Sequence, residues 1–243
     1  MRGRRGCATL APMTARRVGE RAVIPLFPLG TVLVPGLVLP LHIFEPRYRQ
    51  LLADLASRPE EERGFGVVAI REGHEVGEHG VRALHEVGTL ALLRSVSPWP
   101  DGRADIMTNG DARFRVLRLV DQGTPYTCAE VEWLGEEDGD PDAPLLARAV
   151  SERFDEYRAA VAGAGAVEAA QMLTMSADPR LLSYLVAAAM VLDQRDRQKL
   201  LEQPTTSDRL RAEMALLARE NVMMRELPSL PAIDLARTSS GMN

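Results

Sequence analysis

Residues 35–49 read PGLVLPLHIFEPRYR, an unusual density of prolines and large apolar side chains. Pro46 suits the first turn of a helix, where the N–H that proline lacks has no partner to lose. The following residues predict a helix over 45–55 with one apolar face, formed by Tyr48, Leu51, Leu52 and Leu55. The stretch therefore predicts a packed corner of the fold that leads into a helix.

His42 and Glu45, in the middle of this stretch, are residue types that take part in acid–base chemistry. Their neighbours Phe44 and Tyr48 are large and apolar. Isolated polar residues in such surroundings are more often hydrogen-bonded packing residues than catalytic groups. We therefore interpret His42 and Glu45 as residues needed for packing in this segment and not for acid–base chemistry.

Short apolar runs separated by Gly, Pro and Asp occupy the first half of the chain and predict strands over residues 23–29, 31–34, 65–70, 87–94, 103–108, 112–120 and 126–134. The last run alternates, with Cys128, Glu130 and Glu132 on one side, so it predicts a half-buried strand with a wet face. Closely spaced short strands of this kind are typical of a small barrel or a folded sheet.

The composition changes near residue 140, after the charged, turn-rich linker 135–144. The second half is rich in Ala, Leu, Arg, Glu and Met, and its apolar residues recur at helical spacing. Helices are predicted around 146–161, over 179–192 and 195–202, and from residue 206 to Pro228. We expect an α+β chain with a β-rich subdomain over 23–136, an α-helical bundle over 144–228 and a flexible tail over 229–243.

The net charge of −5 conceals an asymmetry between the N-terminus and the rest of the chain. Residues 1–22 hold six Arg and one Glu, which is +5, so the remainder carries −10. We expect residues 1–22 to be a disordered basic arm. An acidic body disfavours nucleic-acid binding, which depends on positive charge.

No stretch approaches the roughly 18 apolar residues that a membrane span needs. The only cysteines, Cys7 and Cys128, lie far apart in the sequence and predict neither a disulfide nor a zinc site. A reducing cytoplasm fits this cysteine usage best, and we expect no membrane partner.

Sequence motifs for catalysis are weak. His74 and His79 are five residues apart, whereas a zincin helix needs two His four residues apart, and glycines surround them. Lys199 is the only lysine, and it stands in neither a phosphate-binding Gly-rich motif nor a Ser–Lys setting. We expect no catalytic residue, no metal and no cofactor.

Three motifs in order closely resemble the N-terminal substrate-binding domain of the Lon proteases: IPLFPL over 24–29, VLVPG over 32–36 and LPLHIFEPRYR over 39–49. Later segments are also similar, among them FGVVAI over 65–70, EVGTLA over 86–91 and GDARFR over 110–115. The resemblance covers roughly residues 23–227. It implies a PUA-like pseudo-β-barrel followed by an α-helical bundle.

The resemblance also implies a role in recognising exposed or unfolded protein segments, or in docking to a protease. It does not imply proteolysis, because a full Lon protease has ATPase and protease modules after this domain. Residues that match the family motifs are expected to be mainly structural: Pro28, Pro35, Gly36, Pro40, His42, Phe44, Glu45, Arg47, Tyr48, Gly88, Gly110 and Arg113.

The leading hypothesis is therefore a non-enzymatic, cytoplasmic protein-binding module. Phe44, Tyr48 and Trp99, with the loop from Val96 to Trp99, are the predicted binding residues, because they place large apolar groups near loops. Two alternatives remain open. One is a small metal-dependent hydrolase that uses His74, His79 and His85, and the other is an RNA-binding PUA-like protein.

Overall fold

The computed structural model describes residues 16–73, 81–137, 141–162 and 178–226. The strands in chain order are β1 (Arg21–Leu29), β2 (Val38–Ile43), β3 (Gly64–Gly73), β4 (Val81–Leu84), β5 (Val87–Pro98), β6 (Ala104–Val120) and β7 (Cys128–Trp133). The helices are α1 (Pro46–Ala56), α2 (Ala143–Ala162), α3 (Pro179–Ala189), α4 (Gln194–Glu202) and α5 (Thr206–Glu226). A short 3-10 turn covers Glu60–Glu62.

Five strands close into a ring. The pairing order is β1-β7-β6-β5-β3, and β1 also pairs in parallel with β3, with Leu26 opposite Gly66. β2 adds to the first half of β6, and β4 adds to the end of β3. The predicted α+β fold, a pseudo-barrel followed by helices, is confirmed.

Phe114 fills the middle of the ring, where it packs with buried residues such as Ile24, Leu26, Leu90, Val131 and Trp133. Two ring strands pass so close to it that only glycine fits. A Cβ at Gly66 or at Gly88 would lie 2.6 Å from Phe114 Cζ. The Phe114 ring thus occupies the space that side chains at Gly66 of β3 and Gly88 of β5 would fill.

β6 changes partners at Gly110. Before it, residues 104–109 pair with β2; after it, residues 114–120 pair with β7. The connection before β2 crosses β6 at this point, because the Gly36 N–H donates to the Gly110 carbonyl and the Gly110 N–H donates to the Leu37 carbonyl. A Cβ at Gly110 would lie 2.3 Å from the Val34 carbonyl oxygen, so the crossing requires glycine.

A second core lies between the ring, β2 and α1. Tyr48 of α1 stacks on Phe27 with ring centroids 3.9 Å apart, and Leu51 and Leu55 are buried beside it. The Tyr126 hydroxyl donates to Asp54 at 2.7 Å and ties the end of the barrel to α1. α1 therefore acts as a lid on one side of the barrel and fixes where β2 ends.

The helices form a bundle with its own core, made by α2, α3 and α5 and including Val150, Phe154, Tyr157, Leu182, Leu210 and Leu217. α3 begins as the Asp178-Pro179 pair predicts, because the Asp178 carboxylate accepts from the backbone N–H groups of Arg180 and Leu181. Asp193 caps α4 in the same manner by accepting from the Asp196 N–H.

Glu136, in the linker, joins the barrel to the bundle. Its carboxylate accepts from Arg113 Nε of β6 at 2.6 Å, from the Tyr184 hydroxyl of α3 and from Arg209 Nη2 of α5 at 3.3 Å. Arg113 also donates to the carbonyls of Gly135, Leu201 and Gln203. Arg209 lies over the Tyr184 ring, 3.8 Å from its centroid. These bonds connect strand, linker and three helices around one part-buried carboxylate and the buried Arg113.

Some boundaries differ from the sequence prediction. Residues 16–22, expected in the disordered arm, belong to the fold: Arg16 contacts Asp111 and β1 begins at Arg21. Residues 31–34 are not a strand, whereas residues 38–43 are, and the two strands predicted over 103–120 are one continuous strand. Tertiary pairing with β6 decides these cases, and residue patterns alone do not show it.

Cys128 was predicted on a wet strand face and is buried in the α1 core. On that face only Glu130 and Glu132 are partly exposed to solvent. The first residue of β7, Cys128, packs in the core that α1 covers. The predicted helix 179–192 ends at Ala189. The expected bundle limit of 228 and the tail 229–243 lie outside the described residues.

We predict that Arg113→Met destabilises the fold by about 3–5 kcal/mol, because it removes one of the three donors to the Glu136 carboxylate and the Arg113 donor from three carbonyls. Arg118→Met is the matched control on the same strand: Arg118 pairs with Glu130, but its side chain is 67% exposed, against 2% for Arg113. That variant should lose at most about 1 kcal/mol. Urea denaturation measures both, and equal losses would contradict the assigned role of Glu136.

Glu213 of α5 is a fully buried carboxyl, and neither of its oxygens has a hydrogen-bond partner among the residues that the structure describes. Burial raises the pKa of Glu213 well above its usual range, although the Arg209 charge acts in the opposite direction. A carboxyl with a raised folded-state pKa binds its proton more tightly in the folded chain than in the unfolded one. Its contribution to stability is therefore lost as pH rises through the interval between the two pKa values.

We predict that Glu213→Gln removes part of this pH dependence. The free energy of unfolding of the wild type should fall, relative to the variant, as pH rises above about 4.3, with a slope of at most about 1.4 kcal/mol per pH unit. Urea denaturation at a series of pH values measures the difference. Glu152→Gln, at an exposed position on α2, is the control. If the two variants give parallel curves, Glu213 does not titrate as stated.

Candidate functional site

An exposed apolar surface lies where β2 meets the β5–β6 hairpin. Direct pairing places Pro40 opposite Met107 and His42 opposite Asp105, so these side chains share one face of the sheet. Val38 lies two residues before Pro40, and Phe44 follows the end of β2. We call the surface formed by Val38, Pro40, His42, Phe44, Trp99 and Met107 the apolar face.

Its large side chains are open to solvent, whereas the opposite face of the sheet is buried. Val38 and Phe44 are each 48% exposed, Trp99 is 46% and Met107 is 40%. On the opposite face, Ile43, Ala104 and Ile106 are buried in the α1 core. The apolar face is thus a firmly supported surface and not a loose loop.

Trp99 is held at the hairpin by its backbone and by its indole. Its N–H donates to the Arg103 carbonyl, and its carbonyl accepts from the Gly102 N–H, in a turn where Gly102 has φ of +81°. The indole Nε1–H donates to Asp105 Oδ2 at 2.8 Å. The Arg103 guanidinium lies 5.2 Å from the ring centroid. The exposed ring therefore has a defined orientation.

His42 connects Trp99 to Phe44. Its ring lies 6.0 Å from Trp99 in an edge-on arrangement and 6.2 Å from Phe44. His42 Nδ1 is 2.6 Å from Asp105 Oδ1. The hydrogen bond with His42 and that from Trp99 lower the pKa of Asp105. Asp105 therefore stays ionised, and keeps both rings in place, at more acidic pH than an ordinary aspartate would.

The structure brings together two of the three predicted binding residues, Phe44 and Trp99, on either side of His42. Tyr48 is a correction: it is 5% exposed and stacked on Phe27, so it supports the corner from inside. Val96 lies opposite Ile106 in the hairpin and so points to the other side of the sheet from Met107. Helix α1 turns Tyr48 inward, because its apolar face must cover the barrel.

The remaining motif residues lie in structural positions. Glu45 precedes α1 and pairs with Arg47 at 2.9 Å, and the Arg47 guanidinium lies over the Tyr48 ring. Gly36 has φ of +82°, where glycine is favoured. Pro28 is in β1, Pro35 precedes Gly36, and Gly88, Gly110 and Arg113 have the packing roles described above.

Sequence reasoning missed Val38, Met107 and Asp105 as parts of the same surface. Each is an ordinary residue in a strand, and only the pairing register between β2 and β6 places them beside Phe44 and Trp99. The alternation of residues 104–109 was a usable signal, since alternate residues of a strand share one face. Its partner strand was not evident from the sequence.

The predicted metal-binding alternative falls mostly on residues that the structure does not describe, since His74 and His79 lie there. His85 is described, and its Nδ1 lies 3.8 Å from Glu202 Oε1, in contact between the barrel and α4. Among the described residues, no group of three or more His, Cys, Asp or Glu could hold a metal ion. No helix in that part of the chain is long and apolar enough to cross a membrane.

In the described part of the chain, two grooves larger than 400 Å³ are lined by residues outside the apolar face. One, of about 410 Å³, is at the end of the barrel between β4 and the last residues of β6, and Leu84, Leu117 and Leu119 line it. The other, of about 440 Å³, is between the barrel and α3, with Leu181 and Tyr184 on one wall. Neither groove is lined by two aromatic residues, whereas the apolar face contains Phe44 and Trp99.

Solved structures share this fold. A crystal structure of a Lon N-terminal domain protein from Xanthomonas campestris matches 80% of this chain and 98% of its own length, with a TM-score of 0.58 and 24% identity. The N-terminal domain of a Mycobacterium avium complex Lon protease matches 81% of this chain and 98% of its own, with a TM-score of 0.59 and 16% identity. The pseudo-barrel and helical bundle are therefore the fold of Lon N-terminal domains.

Sequence comparison gives the family. The model of the ATP-dependent protease La (LON) substrate-binding domain matches residues 23–219, and the chain belongs to this family. The Lon proteases of Anaeromyxobacter dehalogenans (strain 2CP-C) and Escherichia coli (strain K12) are 29% and 30% identical, over 88% and 83% of this chain. Each match covers 25% of the relative, so the chain spans about a quarter of the length of these proteases.

We predict that Asp105 orients Trp99. In NMR spectra, the Trp99 indole N–H resonance should titrate with a midpoint below about 3.9, the ordinary aspartate pKa, because His42 and Trp99 stabilise the Asp105 carboxylate. Asp105→Ala should shift this resonance at neutral pH and remove the titration. Trp133, which is buried, is an internal control and should not respond. An unchanged Trp99 signal in the variant would contradict the arrangement.

Proposed function

We propose that this chain is a protein-binding module that recognises exposed, apolar segments of unfolded proteins at the apolar face. One observation carries the proposal: aromatic and aliphatic side chains between 40% and 48% exposed stand together on β2, β6 and the turn between β5 and β6, over a buried core. A domain gains nothing in its own stability from leaving such side chains in water. Clustered exposed apolar groups of this kind mark interaction sites.

The composition of the apolar face supports binding to varied sequences. Phe44 and Trp99 provide large contact areas with little side-chain entropy to lose. Met107 has a flexible thioether that adapts to partners of different shape. Transfer of apolar surface from water to such a site contributes about 25 cal/mol per Å², without demanding a particular residue in the partner.

The proposal is non-enzymatic. It assigns binding of protein segments to the chain and includes docking to a protease as a way to deliver them, in keeping with the substrate-binding family to which it belongs. It includes no nucleic acid and no membrane, and it places the chain in the cytoplasm, which is consistent with Cys128 being a thiol and not part of a disulfide.

We predict that Phe44→Ser and Trp99→Ser each weaken binding of an apolar peptide about tenfold, since each removes an anchor of the kind that contributes 1–2 kcal/mol or more. The probe is a fluorescein-labelled 15-residue peptide with a core of five Leu, Val and Phe residues flanked by Ser and Gly. Fluorescence anisotropy gives its Kd for the full chain.

Leu119→Ser is the matched control. Leu119 is 57% exposed, but it lies near the end of β6, on the wall of the 410 Å³ groove, and is not part of the apolar face. It should leave the Kd unchanged within about twofold. If Leu119→Ser weakens binding while Phe44→Ser and Trp99→Ser do not, the binding surface is the groove and the proposal for the apolar face is wrong.

A further inference from the structure

β2 lies beneath the apolar face and is an edge strand. Within the described residues, it pairs with β6 and with no other strand. Odd-numbered residues in and just before β2 direct their backbone groups toward β6. The Leu37 carbonyl accepts from the Gly110 N–H, and the Leu39 carbonyl accepts from the Thr108 hydroxyl. Because backbone directions alternate along a strand, Val38, Pro40 and His42 present theirs to the free edge.

Pro40 interrupts that free edge at its centre. Of the three residues whose backbone faces outward, the middle one has no N–H to donate. Its pyrrolidine ring also occupies the position from which an incoming strand would accept a hydrogen bond. Proline on an edge strand is a known means of preventing the addition of another strand. An exposed apolar surface beside an open edge would otherwise invite one.

Other open strand segments carry comparable interruptions. β5 continues past Leu92, its last residue paired with β3, and there its pairing with β6 has a bulge between Leu93 and Ser95. β6 continues past the start of β5, and its pairing with β7 has a bulge between Val116 and Arg118. Bulges twist an edge away from a flat, pairable geometry.

From the open β2 edge and the proline at its centre we infer that Pro40 is a specificity-determining residue, which excludes recognition by strand addition at β2 and restricts the apolar face to recognition by side chains. This inference rests on the function proposed above and concerns how that site selects its partners. The substrate class is then any accessible segment with clustered apolar side chains. The backbone N–H groups of the segment, its chain direction and any proline in it should not affect its affinity for the apolar face.

N-methylation of the peptide separates the two modes of recognition. The probe is the labelled 15-residue peptide described above, compared with the same peptide N-methylated at every second residue of its apolar core. The methyl groups remove the donors on one edge and leave every apolar side chain. The full wild-type chain should bind both within about threefold. A loss of tenfold or more on N-methylation would overturn the inference, because it would show that backbone pairing contributes.

Pro40→Val completes the cycle by returning an N–H to the centre of the β2 edge. This variant should bind the unmethylated peptide at least fivefold more tightly than the N-methylated one, whereas the wild type does not distinguish them. If Pro40→Val binds the two peptides equally, Pro40 is not what closes the edge. If the variant fails to fold, the comparison of the two peptides on the wild type decides alone.

The inference and the proposed function fail in different ways. If the wild type binds neither peptide, the proposed function is wrong. Closure of the edge is then decided by sedimentation equilibrium, where Pro40→Val should raise the self-association constant at least tenfold through pairing of two β2 edges. An unchanged self-association constant would overturn the inference in that case. If the wild type binds the unmethylated peptide alone, the function stands and the inference falls.

Discussion

The crossing at Gly110 is the constraint on which the rest of the structure depends. A single strand, β6, serves both the closed ring and the sheet under the apolar face, and it changes neighbours where the chain before β2 passes over it. The 2.3 Å that would separate a Cβ at residue 110 from the Val34 carbonyl leaves no room for a side chain. With glycine there, β2 can pair with the hairpin, and its outward face becomes available. Without it, Phe44 and Trp99 would have no common support.

Rigidity and exposure are separated in space. The part-buried Glu136 carboxylate, with Arg113, Tyr184 and Arg209 around it, ties the helices to the barrel on one side. The apolar face lies on the β2 side, over the core that α1 closes with Tyr48. The polar contacts therefore hold the scaffold together, and the exposed face is left to contact other molecules. The same separation lets Asp105 orient Trp99 without contributing to the main core.

Much of the fold could be predicted from the sequence, because its local signals agree with the final packing. The change of composition near residue 140, the Asp178-Pro179 helix start and the helix after Pro46 all correspond to observed elements. The motif around Phe44 also predicted half of the exposed aromatic pair. What could not be predicted depends on pairing between distant strands: β2 as a strand, the continuity of β6, and Met107 beside Pro40. Tyr48 shows the same limit, since its aromatic ring suits either a surface or a core.

The central claim is that the apolar face is where protein segments bind. The most direct measurement is the map of backbone amide chemical-shift changes when the labelled chain is titrated with an unlabelled, permanently unfolded apolar polypeptide. The account predicts that the largest changes lie in residues 38–44, 97–99 and 103–107, with small changes in the helices. Changes concentrated around Leu117 and Leu119, or around Leu181 and Tyr184, would contradict it and place binding in one of the grooves.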